Sequence, residues 1–162
     1  MKESPWLYKK VVFAGTFDHL HEGHKHLLRT AFKIGEKVSI GLTSDYMLTQ
    51  KKRGALIQSY DERRHALAEF IIPECGLHRC TIFPIETKEG GADKMEDLEA
   101  LVVSDEIGVV QMAFNINAMR AENGITRFHI VVVPRVRTKD GRPLSSSRIR
   151  DGESFTDKEL VY

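Results

Sequence analysis

KVVFAGTFDHLHEGHKHLL, running from Lys10 to Leu28, is the stretch on which the fold turns. Lys10 to Ala14 is a short apolar run and reads as a buried strand. From Gly23 to Ile34 the apolar residues Leu27, Leu28, Ala31, Phe32 and Ile34 fall at helical spacing. Between strand and helix, Gly15 lets the main chain turn and come close to a ligand. Thr16 offers a hydroxyl and an N–H at the strand's carboxyl end. His21 and His24 sit three apart around Gly23, where the helix opens. A helix start presents free N–H groups and the positive end of its dipole, which suits a phosphate. Two imidazoles there add donors that can follow charge onto phosphoryl oxygens. Such a pair also occurs as metal ligands or as solvated surface residues. No third metal ligand lies nearby in sequence, and His19 and His26 read as surface residues.

The alternation continues outward from this unit. Val38 to Leu42, Cys80 to Ile85, Leu101 to Val103 and Phe128 to Val133 are further apolar runs, giving five strands in all. Pro84 marks a strand end or a sheet edge. Asp61 to Ile72 carries a helical pattern through Ala66, Leu67, Phe70 and Ile71, and Val109 to Glu122 is a further helix stopped by Asn123-Gly124. Continuous apolar strands separated by helices predict an α/β chain with a parallel sheet covered on both faces. Ligands of such sheets bind beyond the carboxyl ends of the strands, near a switch in strand order. Lys88 to Asp97 reads as an exposed loop. The 162 residues suit a single domain with its core over about 10–152 and a helical C-terminal tail, 153–162.

Composition narrows the function classes. With 41% hydrophobic and 29% charged residues the chain is ordinary for a globular protein. The 24 basic and 23 acidic residues leave a net charge of +1, which argues against a nucleic-acid binder. No apolar run approaches the roughly 20 residues of a membrane span, and Met1 to Pro5 has no signal-peptide core. No membrane association and a cytoplasmic location are therefore expected. Cys75 and Cys80 do not match a common zinc spacing and read as ordinary thiols.

A second phosphate site is legible from Arg142 to Arg150. After a turn at Lys139-Asp140-Gly141, Ser145, Ser146 and Ser147 open a short helix as its cap and first turn. Serine hydroxyls and helix N–H groups suit phosphate, and Arg148 and Arg150 add guanidinium groups that bind its oxygens in pairs.

Together these segments carry a resemblance. GTFDHLHEGHKHLL resembles the signature of the HxGH nucleotidyltransferases, a Rossmann-like superfamily, and LSSSRIR (Leu144–Arg150) resembles its I-S-S-T-x-x-R segment. The resemblance implies a doubly wound, Rossmann-like sheet and attack on the α-phosphate of a nucleoside triphosphate. By it, His24 stabilises the α-phosphate with His21 beside it, Thr16 holds the attacking phosphate, and Phe17 supplies a main-chain contact. Ser145, Ser146, Ser147 and Arg150 hold the β- and γ-phosphates, with Gly15 and Asp18 also at the nucleotide. A lysine from the loop Thr43–Arg53 reaches the reacting phosphates. Lys51 is the first choice and Lys52 the alternative. The stretch Gly41–Phe70, Leu101 to Ser104, and Ile116-Asn117 with Arg120 and Gly124 are similar to the archaeal and eukaryotic type of phosphopantetheine adenylyltransferases. That similarity implies ATP and 4′-phosphopantetheine as substrates, Mg²⁺ with the triphosphate, and Ser104 and Asn117 as nucleotide contacts. After Ser104 this group usually has Glu-Glu-Thr or Pro-Glu-Thr; here the chain reads Asp105-Glu106-Ile107-Gly108-Val109-Val110. FAD synthetases and CTP-dependent cytidylyltransferases share the same two motifs, and a non-catalytic nucleotide-binding module is a reading from a different class.

Overall fold

A computed structural model describes residues 4–49 and 56–162. The first strand, β1 (Tyr8–Gly15), runs through the loop 16–21 into α1 (Glu22–Ile34) and returns as β2 (Gly35–Thr43). A single turn, α2 (Asp45–Leu48), precedes α3 (Tyr60–Glu74) and β3 (Cys80–Ile85). Then come β4 (Ala100–Ser104), α4 (Ile107–Glu122) and β5 (His129–Val133). The chain closes with β6 (Arg137–Thr138), α5 (Ser146–Arg150), a 3₁₀ turn (Asp157–Glu159) and β7 (Leu160–Val161).

The five long strands form one parallel sheet in the order β3-β2-β1-β4-β5. The central strands β1, β2 and β4 carry continuous buried runs at Val11–Phe13, Ile40–Leu42 and Ala100–Val103 because both faces are covered there. On one face α1 and α3 pack Leu28, Phe32, Leu67 and Ile71 against Val11, Phe13, Ile40 and Val102. On the other, α4 packs Ala113 and Ile116 against Val12, Leu101 and Val103. The chain winds outward from β1 in one direction and from β4 in the other. The carboxyl ends of β1 and β4 therefore splay apart and leave a crevice, as expected where strand order reverses. Pro84 lies in the edge strand β3, opposite Leu42, where its missing N–H breaks no interior ladder. Cys75 and Cys80 are buried free thiols, with their sulfurs 2.9 Å apart.

Two expectations need correction. The tail 153–162 is not helical: only the three residues Asp157–Glu159 turn, and β7 then pairs antiparallel with β6. Leu160-Val161 follows no helical stripe, and pairing supplies the backbone partners that an isolated short helix lacks. The Lys88–Asp97 loop is not simply exposed. Ala92 is buried, and the fully buried Arg120 takes the carbonyls of Ala92 and Met95 at 2.7 and 2.8 Å. This fastening lays the loop across the α4 side of the sheet.

Candidate functional site

A cavity of about 610 Å³ opens over the carboxyl ends of β1 and β4. Its walls are the loop after β1, the start of α1, the first three turns of α4, Lys88 to Gly90, and Leu144 to Ser146. Of the residues singled out in the sequence, Gly15, Thr16, Phe17, His21, His24, Ser104, Ser145 and Ser146 line it.

The loop from Gly15 to His21 holds an uncommon path. Phe17 and His19 have φ of +53° and +46°, a left-handed conformation that non-glycine residues adopt at a cost of about 1–3 kcal/mol each. Tertiary contacts offset that cost. The Phe17 ring is 1% exposed and packs edge-on against Phe13 at 5.2 Å. Gln58 holds the loop at two points: its side chain accepts from the His19 N–H at 3.0 Å, and its own N–H donates to Asp18 at 2.8 Å. Thr43 donates to the Gly15 carbonyl at 3.1 Å. The fully buried Arg63 donates to the carbonyls of Thr16 (2.9 Å), Thr43 (2.8 Å) and Gln58 (2.9 Å). With both carbonyls held on that side, the trans peptides turn the N–H groups of Thr16 and Phe17 the other way.

His21 and His24 make a reciprocal cap. The Gly23 N–H donates to His21 Nδ1 at 3.1 Å, and the His21 N–H donates to His24 Nδ1 at 3.3 Å. The two rings stack with centroids 3.8 Å apart and an interplanar angle of 21°. Gly23 is required by this arrangement, since a Cβ there would lie 2.8 Å from His21 Cε1. An Nδ1 that accepts must be unprotonated, so each neutral ring carries its proton on Nε2. Burial reinforces the neutral form. It lowers the His21 pKa to about 4, with Asp18 acting in the opposite sense and Lys25 adding to the effect. Burial and the neighbouring His21 hold His24 well below the ordinary value. The result is two adjacent Nε2–H donors at the opening of a helix.

Opposite this pair stands the serine segment. Ser145 caps α5 by accepting from the Arg148 N–H at 3.3 Å, and Ser146 donates to the Asp18 carbonyl at 2.6 Å. This contact joins the two phosphate motifs across 128 residues. Asp18 and Arg150 are brought together rather than placed on the cavity wall. The Asp18 carboxylate is buried and shared between the Gln58 N–H and Arg150 Nη1. The carboxylate thereby holds Arg150 in place. Arg150 Nη2 donates to Ser147 at 3.0 Å, while its buried Nε has no hydrogen-bond partner among the described residues. Ser147 itself is exposed and stands outside the cavity lining.

Asn117 stands outside the cavity lining. Its amide donates to the Phe128 carbonyl and accepts from the Phe128 N–H, each at 3.0 Å. The cavity side of α4 is carried by Met112, Ala113 and Ile116. Asn117, one residue further round, pins the helix to the chain entering β5. Lys51 and Lys52 lie outside the described residues.

Sequence reasoning missed Gln58, Arg63 and Arg135. Arg135 lines the cavity and donates to Asp105 at 2.7 Å, with Glu106 at 3.4 Å. Arg63 did leave a signal: Arg63, Leu67 and Ile71, four apart, are the buried stripe of α3, so a charged residue stands at an apolar position.

The model of a family described as cytidylyltransferase-like matches residues 12–152. The chain is 44% identical over 145 residues to the phosphopantetheine adenylyltransferase of Thermococcus kodakarensis, covering 90% of this chain and 86% of that protein. It is 44% identical over 146 residues to that of Pyrococcus furiosus, covering 90% and 89%. Among solved structures, a protein with unknown function from Archaeoglobus fulgidus is similar at a TM-score of 0.68 and 35% identity, covering 76% of this chain and 88% of that one.

Proposed function

This chain belongs to the cytidylyltransferase-like family, among the phosphopantetheine adenylyltransferases, and on that premise we propose that it transfers the adenylyl group of ATP to 4′-phosphopantetheine. The products are dephospho-CoA and pyrophosphate. The observation that carries the proposal is the pair of Nε2–H donors of His21 and His24, facing the same cavity as Thr16, Ser145 and Ser146.

In this reading a phosphate oxygen of the acceptor attacks the α-phosphorus in line. The bond from that phosphorus to the bridging oxygen breaks, and pyrophosphate departs. The attacking phosphate is already an anion at neutral pH, so no side chain has to remove a proton. Catalysis is positioning together with stabilisation of developing charge. His24 and His21 donate to the α-phosphate oxygens. Being neutral beforehand, they gain proton affinity as the triphosphate brings negative charge beside them. Thr16 and the Phe17 N–H hold the acceptor phosphate. Ser145 and Ser146 face the β- and γ-phosphates, with Arg150 behind them. A buried donor without a partner costs about 1–3 kcal/mol, and a phosphate oxygen on Arg150 Nε relieves that cost. Lys51 or Lys52 completes the charge at the reacting centre.

Mg²⁺ fits this site as a companion of the nucleotide. Among the described residues no group of three or more His, Cys, Asp or Glu side chains is placed to hold a metal, and Asp18 is committed to Arg150 and Gln58. The ion would be held by phosphate oxygens and would neutralise part of their charge.

Among the described residues no helix is long and apolar enough to cross a membrane. We take the protein to act in the cytoplasm on its two small substrates, without nucleic acid. The direct test is pyrophosphate release with ATP against a panel of acceptors: 4′-phosphopantetheine, FMN, and glycerol 3-phosphate with CTP. Release with phosphopantetheine alone is expected. Release only with FMN, or only with CTP, would transfer the site to an FAD synthetase or a cytidylyltransferase. Nucleotide binding without release for any acceptor would make it a binding module.

A further inference from the structure

We infer that Arg135 sets nucleotide affinity by stacking its guanidinium plane on the base. The inference rests on the adenylyltransferase reading and adds a nucleotide-binding residue to it. Arg135 follows β5 and lines the cavity near Ser104, at the carboxyl end of β4. His21 and His24 follow β1, Arg135 follows β5, and β4 lies between those strands in the sheet; the cavity extends from the phosphate donors to the α4 side, where we place the nucleoside.

The guanidinium is held in place rather than free. Nε donates to Asp105 at 2.7 Å, Nη1 lies 3.4 Å from Glu106, and Arg137 Nη2 reaches the other Asp105 oxygen at 3.6 Å. Asp105 and Glu106 engage Nε and Nη1, so two of the three guanidinium nitrogens are already committed. What it still presents is a flat, weakly hydrated face, which stacks well on aromatic rings. The neighbouring wall suits the same ligand: Val109 and Met112 are apolar, and space is open around Gly108, where an added Cβ would meet nothing within 4 Å. An apolar wall and a pinned guanidinium in one cavity fit a flat heteroaromatic ring.

This also gives meaning to the sequence after Ser104. Asp105 and Glu106 stand where the related group usually has Glu-Glu or Pro-Glu, and here both bear on Arg135. The carboxylates position the arginine, and the arginine touches the nucleotide.

The test is calorimetric binding of α,β-methylene-ATP and, separately, of inorganic pyrophosphate to wild type, Arg135→Ala and Arg135→Lys, with KM for ATP and kcat alongside. Both variants are expected to bind the nucleotide about ten-fold more weakly, equivalent to about 1.4 kcal/mol. Pyrophosphate affinity should be unchanged and kcat within about two-fold. Lysine keeps the charge and loses the plane, so an Arg135→Lys protein that binds like wild type overturns the inference. So does unchanged nucleotide affinity in Arg135→Ala, or a parallel loss of pyrophosphate binding. If Arg135→Ala fails to fold, the lysine variant decides alone. A wild-type protein that binds ATP yet adenylylates no phosphopantetheine refutes the acceptor assignment and leaves this test intact. One that binds no ATP refutes both.

Discussion

Arg63→Met removes a buried cation while keeping most of its volume, and it probes how the reacting loop is held. Arg63 is fully buried and serves three main-chain carbonyls, those of Gln58, Thr16 and Thr43, at 2.8–2.9 Å. It also meets Asp45 at 3.1 Å, but that carboxylate is 60% exposed and contributes little. The loss is therefore set by the three carbonyls. A buried group left without its partner costs about 1–3 kcal/mol. Taking the low end for each, because the loop relaxes towards water and the cost of burying the cation is removed, gives about 3 kcal/mol. That is a large share of the 5–15 kcal/mol that typically stabilises a domain. Urea unfolding at neutral pH measures it as a shift in midpoint at constant slope. Activity should fall as well. Thr16 loses the anchor that turns its peptide, and kcat/KM is expected to drop at least about ten-fold in the folded variant. An unfolding free energy within about 1 kcal/mol of wild type, with unchanged kcat/KM, would refute the role given to Arg63.

Other outcomes follow from the same geometry. Gly23→Ala places a methyl 2.8 Å from the His21 ring; kcat should fall about ten-fold or more, while stability shifts by less than about 1 kcal/mol because helix propensity gained offsets cap energy lost. Unfolding and steady-state assays on one preparation check both halves. Asn117→Ala should cost about 1–3 kcal/mol through the orphaned Phe128 groups and leave KM for ATP unchanged; a raised KM with normal stability would restore Asn117 to the nucleotide. The folded pKa of His21, about 4, lies below its value of 6.5 when exposed. The unfolded chain thus binds more protons between those values. This contribution to stability is complete above about pH 6.5 and is lost as pH falls towards 4, on the order of 3 kcal/mol. His24 acts in the same direction. Urea midpoints at pH 7, 5.5 and 4.5 should fall in that order, and a His21→Gln variant should show a shallower decline.

How much was legible in the sequence depended on whether a residue acts through its neighbours in the chain. The five strands and three longer helices were readable because burial on both faces imposes continuous apolar runs and helical stripes. The placement of His21, Gly23 and His24 at the opening of a helix was readable because strand, turn and helix are contiguous in the chain, whereas the reciprocal cap they form was not. The partners of Asp18 were not legible, because Gln58 and Arg150 are 40 and 132 residues away. The pairing of Asn117 with Phe128 was not legible either, because the phase of α4 against the chain entering β5 is set by the tertiary fold. Arg63 and Arg120 occupy the buried stripes of their helices. A charged residue at an apolar position is a signal of a main-chain anchor, although which carbonyls it serves depends on the tertiary fold. The tail was misread because two residues of β pairing have no periodicity to detect.

His24 is the residue proposed to act on the α-phosphate. The most direct measurement follows label from ATP marked in its α-phosphorus, in the presence of 4′-phosphopantetheine, with wild type and His24→Ala. The account predicts label in dephospho-CoA and none in pyrophosphate, with the rate in His24→Ala reduced by about 10²–10³ and its fold intact. Label appearing in pyrophosphate, or a folded His24→Ala protein that transfers label at the wild-type rate, would contradict it.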